Sequence, residues 1–324
     1  MSILVLGGAG YIGSHTVYAL IERGEEVVII DNLQTGFKKL IHPDAKFYLG
    51  DVRDKEFMKK VFEQEDIKGV IHFCANSLVG VSMVEPLDYY DNNLYGMICL
   101  LEIMRDFDVK HIVFSSTAAV YGEPNHVPIL EEDSTIPTNP YGETKLAMEK
   151  LMRWCEKAYS ITWVALRYFN ACGAHENKLI GELHDPETHL IPIVLQVAQG
   201  KRDTIRVFGD DYDSEDGTCI RDYIHVNDLA DAHIKSLNYL YDKGRSDIFN
   251  LGNGTGYSVL EIIEAAKKIT KKPIHVTMDV RRPGDPAKLV ANSNKAKLIL
   301  GWQPRYTNIE EIIETAWNFY VNNQ

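Results

Sequence analysis

The sequence lacks an excess of basic residues, a long apolar run and paired cysteines. Its 34 Lys and Arg residues are outnumbered by 46 Asp and Glu residues, which gives a formal net charge of −12. That charge opposes non-specific binding to nucleic acid or to anionic lipid surfaces. No apolar run is long enough for a membrane span, and segment 3–6 has no basic leader before it. We therefore expect no nucleic-acid partner, no membrane association and no signal peptide.

Five cysteines stand at scattered positions without a Cys-x-x-Cys spacing. Such a set indicates neither a disulfide framework nor a zinc knuckle, and it favours a reduced, cytoplasmic setting. His175, His184 and His189 lie among acidic residues but lack the paired spacing of common metal-ligand motifs. The sequence therefore predicts no metal site.

Short apolar runs alternate with helix-length segments in the first half of the chain. The runs are residues 3–6, 27–30, 46–49, 70–73 and 111–114, with a sixth at 162–166. This alternation predicts an α/β fold with a doubly wound, Rossmann-like parallel sheet. A length of 324 residues suggests about two domains. We expect the sheet in residues 1–168 and a smaller mixed α/β domain in 169–324, with some segments crossing back to the first.

A glycine-rich turn follows the first predicted strand directly. Gly7, Gly10 and Gly13 leave the backbone bare where a pyrophosphate would approach a helix N-terminus, although glycines also cluster in ordinary tight turns. Asp31 follows Gly13 by 18 positions, close to the about 20 expected for a carboxylate that accepts ribose hydroxyls. The combination predicts a dinucleotide site.

The residues after Asp31 favour NAD over NADP. A carboxylate repels a ribose phosphate, and Asn32, Leu33 and Gln34 offer no cation to offset that repulsion. Asp51 follows the third predicted strand, where it can hydrogen-bond the adenine or simply cap the next helix.

Tyr141 and Lys145 stand four positions apart. On a helix over residues 141–158 they share a face, and an ammonium near the phenol would stabilise the phenolate and make Tyr141 a usable base. The spacing alone is common on solvated helix faces. Thr117, however, follows the fifth predicted strand, and ligands of such sheets bind beyond the carboxyl ends of the strands. We therefore expect Thr117, Tyr141 and Lys145 to meet beside the glycine turn.

Seven motifs, spread over nearly the whole chain, resemble the motifs of one protein family. They are residues 7–13, 89–93, 115–122, 141–145, 167–170, 216–226 and 281–285. Together they resemble the NAD-dependent UDP-glucose 4-epimerases of the extended short-chain dehydrogenase/reductase superfamily. The resemblance implies that Tyr141 takes the C4 hydroxyl proton while the C4 hydride passes to bound NAD. The resulting 4-keto sugar then turns and takes the hydride back on its other face, so NAD stays bound.

The resemblance also implies two sets of binding residues. Arg221 and Arg282 suit a diphosphate clamp, because guanidinium groups match phosphate oxygens. The full UDP-sugar set is Thr117, Asn170, His189, Leu190, Phe208, Arg221, Tyr223, Arg282, Asp285 and Leu289. The NAD set comprises Gly7, Gly10, Tyr11, Ile12, Gly13, Asp31, Asn32, Asp51, Val52, Phe73, Ala75, Asn92, Tyr141, Lys145 and Tyr168.

Departures from the family pattern leave the identity of the preferred sugar undecided. Relatives restricted to glucose and galactose carry a bulky tyrosine where this chain has Leu289, so N-acetylated UDP-hexoses are expected to fit as well. Serine is frequent where Thr117 stands, lysine where Ser77 stands, and asparagine where His189 stands.

Two other functions compete with epimerisation. A nucleotide-sugar 4,6-dehydratase would need Asp-Glu directly after Thr117, and a UDP-glucuronate decarboxylase a glutamate at position 119. The chain has Ala118 and Ala119, which transfer no protons. A catalytically inactive NAD-sensing scaffold would not require Thr117, Tyr141 and Lys145 together, although a fold alone does not determine function.

One predicted helix carries more apolar surface than a single sheet face needs. Within residues 86–107 the apolar positions at helical spacing are Leu87, Tyr90, Leu94, Met97, Leu101 and Met104. We expect the surplus to pair two subunits in a homodimer.

Overall fold

The computed structural model describes residues 1–282 and 286–323. The strands are β1 Ser2–Leu6, β2 Val27–Asp31, β3 Lys46–Leu49, β4 Ile67–His72, β5 His111–Ser115, β6 Thr162–Tyr168, β7 Asn170–Cys172, β8 Ile205–Phe208, β9 Ile220–His225, β10 Asp247–Leu251, β11 Gly256–Ser258, β12 Val276–Asp279 and β13 Lys288–Leu289. The α-helices are α1 Tyr11–Glu22, α2 Lys55–Gln64, α3 Val79–Ser82, α4 Pro86–Tyr89, α5 Gly96–Asp106, α6 Pro140–Tyr159, α7 Leu190–Ala198, α8 Val226–Lys243, α9 Val259–Thr270, α10 Asn294–Leu300 and α11 Ile309–Asn322. Short 3₁₀ turns cover Lys38–Leu40 and Ala118–Tyr121, and a π-helical segment covers Tyr90–Tyr95.

Seven parallel strands form the central sheet in the order β10-β6-β5-β4-β1-β2-β3. Strands β1 and β2 are buried along their whole length because helices cover both faces of the sheet. The predicted Rossmann-like α/β fold is confirmed. Strand order reverses between β1 and β4, and ligands of such sheets bind in the crevice at this point.

The chain returns to the first sheet after it has left it. Strand β10 pairs with β6, and α8 packs beside α1 on the same face of the sheet. Leu237, Phe249 and Trp302 are buried in that layer together with Val5 and Ile29 of the first strands. Residues 226–251 therefore pack with the first domain, as helix α8 and strand β10. The division of the chain at residue 168 stays a prediction.

A second core lies under the remaining strands. Strand β9 pairs with β7, β11 and β13, and β8 pairs with β12. Helices α7, α9 and α11 bury their apolar faces together here, as Leu195, Ile262 and Ile312 illustrate. Strand β7 follows β6 directly, at the carboxyl edge of the first sheet, and it pairs with β9, which in turn pairs with β13.

Helix α6 begins one residue before Tyr141. The Asn139 side chain accepts a hydrogen bond from the Gly142 N–H at 2.9 Å, and Pro140 occupies the first helical position, where its missing N–H costs nothing. Tyr141 is thus in the first turn and Lys145 lies one turn further on. No helix within residues 1–282 and 286–323 has the length and apolar character needed to cross a bilayer.

Candidate active site

The glycine turn brings the backbone unusually close together. Gly7 has a φ of +79°, and a Cβ at Gly13 would lie 2.1 Å from the Gly7 carbonyl oxygen. Gly10 caps α1, so the N–H groups of the next residues, Tyr11 and Ile12, point out of the helix N-terminus. The bare turn and the helix dipole together fit the pyrophosphate of a dinucleotide.

Asp31 ends β2 beside this turn. Its carboxylate accepts hydrogen bonds from the N–H groups of Ala9 at 3.0 Å and Leu33 at 2.8 Å. Burial raises the pKa of the Asp31 carboxyl, and the two backbone donors oppose that effect. The carboxylate is thus fixed next to the glycine turn, in the position expected for a ribose acceptor.

Asp51 is held by neighbours that the sequence did not point to. Arg53 forms an ion pair with it at 2.7 Å, and the Asn32 amide donates to it at 3.0 Å. The hydrogen bonds from Arg53 hold the pKa of the Asp51 carboxyl well below its usual range. Val52, between them, is buried against Gly96 of α5, so its contact with a cofactor stays a prediction.

The loop after β4 lies directly against the glycine turn. A Cβ at Gly7 would lie 3.0 Å from the Cys74 nitrogen and 3.2 Å from the Phe73 carbonyl carbon, so Phe73 and the nearby Ala75 border the same space. The predicted cofactor residue Asn92 donates to the Asn93 side-chain oxygen at 3.0 Å.

Asn93 is a positioning residue that the sequence reasoning missed. It is fully buried, its side-chain oxygen accepts from the Asn76 N–H at 2.8 Å, and its amide donates to the Thr144 hydroxyl at 3.1 Å. It thereby joins the loop after β4 to α6. The sequence did carry one signal, because Asn93 ends the motif at residues 89–93. Its role became visible only in the fold, where a buried asparagine needs several hydrogen-bond partners.

Thr117, Tyr141 and Lys145 converge beyond β5. The Lys145 Nζ lies 5.9 Å from the Tyr141 ring centroid and donates to the Ser115 carbonyl at 2.8 Å. The Thr117 hydroxyl oxygen accepts from the Ala119 N–H at 3.1 Å, which leaves its O–H able to donate towards a ligand or Tyr141. The proximity expected from the sequence is therefore present.

Burial acts against ionisation of Tyr141. Burial raises the pKa of Tyr141 to about 12, and hydrogen bonding from Thr117 opposes the rise. Burial also lowers the pKa of Lys145 to about 7, so its ammonium is a weak source of positive charge. Desolvation thus penalises the charged forms of both residues, and stabilisation of the phenolate by Lys145 stays a prediction.

A buried network supports this region from behind. The Glu149 carboxylate accepts two hydrogen bonds from the Arg167 guanidinium, at 2.6 and 3.0 Å, and one from the Ser116 hydroxyl at 2.6 Å. The same guanidinium donates to the Tyr121 oxygen at 2.9 Å. Ser115 contacts the Tyr168 hydroxyl through a short hydrogen bond. Residues from β6, α6 and the segment after β5 are therefore fixed relative to one another.

Apart from Thr117, the described residues that are predicted to hold the substrate lie on the segments from β7 to β13, around the second core. The Arg282 guanidinium carbon is 4.0 Å from the Phe208 ring centroid, a stacked cation–π contact. Arg221 on β9 is in register with Leu289 on β13. Asp285 lies outside the described residues, and its predicted ribose contact stays a prediction.

Two predicted substrate residues share a strand pair but differ in exposure. Asn170 is exposed and pairs in register with Tyr223. The Tyr223 ring is buried in the second core, with Cys172 among its neighbours there. Its placement fits structural support of β9 better than contact between its ring and a ligand, because the core removes that ring from solvent.

His189 caps α7 and Leu190 opens it. The His189 N–H donates to the Glu187 carboxylate at 2.9 Å, and its Nδ1 makes a short contact with Glu182. Burial lowers the pKa of His189, but the carboxylates of Glu182 and Glu187 outweigh it and raise that pKa to about 9.

A parallel sheet, a glycine turn at its switch point and a Thr-Tyr-Lys set beyond β5 define the class of extended short-chain dehydrogenases/reductases. The model of the GDP-mannose 4,6 dehydratase family matches residues 4–316. The UDP-glucose 4-epimerase of Lacticaseibacillus casei is 57% identical over 323 residues, covering 100% of this chain and 98% of that protein.

Solved structures agree with this assignment. A crystal structure of a UDP-glucose 4-epimerase superposes with a TM-score of 0.98 at 56% identity, covering 99% of this chain and 98% of that one. The Bifidobacterium longum UDP-glucose 4-epimerase in complex with NAD⁺ and UDP gives 0.95 at 42% identity, covering 100% and 99%. The chain belongs to this NAD-dependent epimerase and dehydratase family and, within it, to the UDP-glucose 4-epimerases.

Proposed function

We propose that the chain interconverts UDP-galactose and UDP-glucose through a transient 4-keto sugar, with NAD held tightly throughout. The observation that carries the proposal is the meeting of Thr117, Tyr141 and Lys145 beyond β5. The glycine turn and Asp31 supply the place for the dinucleotide. When bound, NAD supplies the hydride acceptor for C4 and the donor that returns the hydride.

The chain's own residues move the proton. Tyr141 accepts the C4 hydroxyl proton, and Thr117 orients that hydroxyl through its remaining O–H. The Ser115 carbonyl accepts a 2.8 Å hydrogen bond from the Lys145 Nζ and holds it 5.9 Å from the Tyr141 ring centroid, where its charge would stabilise the phenolate. Because burial raises the pKa of Tyr141 to about 12, nearby positive charge favours its role as a base, and the nicotinamide ring of bound NAD would add to the charge of Lys145.

Dehydration is the second chemistry that the matched family name suggests. It requires an acid and a base directly after Thr117, and this chain carries Ala118 and Ala119 in the 3₁₀ turn there. Neither methyl group can transfer a proton to or from the sugar. Epimerisation, which needs a single proton acceptor, is therefore favoured.

Conversion of UDP-galactose by purified protein without added NAD tests the proposal. We expect UDP-glucose to form, because the cofactor is carried by the protein and regenerated each cycle. A product lighter by one water would indicate a dehydratase. Absence of any product, with or without added NAD, would indicate a scaffold that only binds nucleotide.

Leu289 is smaller than the tyrosine that the family resemblance places at this position in relatives restricted to glucose and galactose. Leu289 packs beside Phe169 against a cluster of Val120, Tyr121, Ile129 and Leu146, which join the segment after β5 to α6. This placement puts Leu289 next to the elements that carry Thr117 and Tyr141. We infer that N-acetylated UDP-hexoses are also accepted, with modest discrimination of about 1–3 kcal/mol at most.

Leu289→Tyr tests this inference. The variant should lose conversion of UDP-N-acetylglucosamine while sparing UDP-galactose, and Leu289→Met, of similar volume, should keep both activities. Equal loss of both activities in the tyrosine variant, or no wild-type activity on the acetylated sugar, would remove Leu289 as the gate.

A homodimer and a cytoplasmic setting complete the proposal. Of the six apolar positions expected to form the interface, Met97, Leu101 and Met104 are buried in the core and Leu94 packs against it, because this side of the helix faces the sheet. Leu87 and Tyr90 are exposed and form an apolar stripe with Tyr95 and Ile98 along the segment from Pro86 to Asp106, beside the exposed Trp154 of α6. Its partner is inferred to be the same face of a second copy.

All five cysteines are free, which supports a reducing compartment.

A further inference from the structure

The segment before α7 gathers four potential metal ligands that are close in sequence but lack a familiar spacing. Glu182, His184, Glu187 and His189 each place one donor atom in the same space, and these four atoms lie within 4.8 Å of one another. The backbone must fold back on itself to produce this arrangement, which is why sequence spacing alone predicted no metal.

Two of the separations in this cluster, both made by His184, fit the spacing of ligands around a tetrahedral ion. The His184 Nδ1 lies 3.6 Å from a Glu182 oxygen and 3.4 Å from a Glu187 oxygen. It is inaccessible to solvent and has no hydrogen-bond partner. Bonds of about 2.0–2.2 Å to a tetrahedral metal place neighbouring donor atoms about 3.3–3.6 Å apart. The His184 Nδ1 thus lies at ligand spacing from both the Glu182 and the Glu187 carboxylates, as expected if all three bind the same ion.

The electrostatics also favour a cation. Glu182 is 3% and Glu187 8% exposed, so two carboxylates are buried side by side. Within residues 1–282 and 286–323, both carboxylates form ion pairs with imidazoles and with no Lys or Arg side chain. A single imidazolium offsets only one of the two negative charges, whereas a divalent ion would neutralise both carboxylates.

One ligand is already oriented by backbone groups. The Glu187 Oε1 accepts from the N–H groups of Thr188 at 2.8 Å and His189 at 2.9 Å. Outer contacts of this kind hold ligands in place in metal sites. The short contact between His189 and Glu182 must open when an ion enters, because a ligating imidazole is neutral and metal binding releases its proton.

We propose that Glu182, His184, Glu187 and His189 bind one Zn²⁺ ion. Two imidazole nitrogens and two carboxylate oxygens suit Zn²⁺, whereas Ca²⁺ and Mg²⁺ prefer oxygen alone. Four protein donors leave no open position, so the site is structural and supplies no Lewis acid to the sugar.

The ion would connect two parts of the active-site region. The His184 ring stacks edge-on against Tyr11 with centroids 6.4 Å apart, and the Tyr11 hydroxyl donates to the Gly173 carbonyl at 2.6 Å. His189 caps α7 on the other side. Zinc thus fixes the start of α7 against the first turn of α1. It also occupies the His189 imidazole, which then cannot reach the sugar.

Zinc titration of untagged, full-length protein after dialysis against a chelator tests the proposal. Isothermal titration with zinc chloride should give one ion per chain. Glu187→Gln and His184→Asn should each weaken zinc binding by at least about tenfold, since each removes a ligand or its charge. His126→Asn is the matched control, because His126 faces a single carboxylate, Asp133, at 3.4 Å; it should bind like wild type.

Two further readouts keep the result unambiguous. X-ray absorption of the zinc-loaded protein should show nitrogen and oxygen neighbours at roughly 2.0–2.2 Å and no sulfur. Zinc should raise the melting temperature of wild type and His126→Asn but not of His184→Asn, provided that circular dichroism shows each variant folded. Sulfur ligation, or equal zinc affinity in wild type and both ligand variants, would overturn the proposal.

Discussion

Lys145 lies in surroundings that penalise its charge. Its side chain is 2% exposed and its Nζ is 4.8 Å from the Phe114 ring centroid, with the Ser115 carbonyl as its hydrogen-bond acceptor. His72 lies nearby, fully buried, and both of its ring nitrogens lack partners. Burial therefore lowers the pKa of Lys145 to about 7 from an unfolded value near 10.5.

Lys145→Met should change stability in a pH-dependent way. Between about pH 7 and 10.5 the unfolded chain binds a proton that the folded chain does not, so this lysine makes wild-type stability rise with pH. Below pH 7 the full penalty is present, on the order of a few kcal/mol. The variant should therefore exceed wild type in melting temperature most at pH 6 and least near pH 10, in scans at several pH values.

Lys150→Met is the control for that experiment, since Lys150 is exposed on the same helix. Its difference from wild type should not vary with pH. A pH-independent difference for Lys145→Met would show that the buried amine stays charged in the folded protein.

Tyr141→Phe removes the proposed proton acceptor without changing the ring. Turnover of UDP-galactose should fall by about a hundredfold or more, while bound nucleotide and melting temperature stay near wild type. Tyr159→Phe, the same substitution at the far end of α6, should leave turnover unchanged. Near-normal turnover in Tyr141→Phe would remove Tyr141 from the base role.

Sequence spacing was sufficient to predict that Thr117, Tyr141 and Lys145 meet, because strand ends and helix periodicity determine their positions. It could not predict their ionisation. That depends on burial by the surrounding fold and, to a smaller extent, on the electrostatic interaction with Tyr89, both of which raise the Tyr141 pKa. Asn93 was missed for the same reason, since its partners Asn76 and Thr144 become neighbours only in the fold.

At the scale of elements, the turn between β1 and α1 depends on the absence of side chains. Gly13→Ala would place a Cβ 2.1 Å from the Gly7 carbonyl oxygen, so the turn must open and the phosphate cradle is lost. We expect most of the retained nucleotide to be absent when the purified variant is denatured and its supernatant analysed by chromatography. Gly80→Ala meets no atom within 4 Å and should retain nucleotide as wild type does. Full retention by the Gly13 variant would place the dinucleotide elsewhere.

The six strands predicted from apolar runs are present, and α6 matches the predicted helix closely. Strand β10 was not predicted as a member of the first sheet. Its run around Phe249 is as short as those of the second layer, and only the packing of α8 on α1 brings it beside β6. The cluster formed by Glu182, His184, Glu187 and His189 could not be predicted from the sequence either, because the path of the loop determines which of its side chains come together.

At the scale of the whole molecule, we expect a second copy of the chain to bury the exposed apolar stripe from Leu87 to Ile98. Ile98→Asp should convert a dimer of twice the 36.7 kDa chain mass into a monomer, because two-fold symmetry would bury two carboxylates together. Light scattering coupled to size exclusion gives the mass directly. Leu298→Asp, on the exposed face of α10, should stay dimeric. A monomeric wild type would contradict the proposed dimer.

The central claim is that one bound cofactor takes the C4 hydride and returns it to the same carbon. UDP-galactose carrying deuterium at C4 tests it most directly, with no nicotinamide cofactor added and the product examined by NMR. If the cofactor stays bound throughout turnover as proposed, UDP-glucose should retain the deuterium at C4. UDP-glucose with the label lost to solvent, or moved to another carbon, would contradict the account.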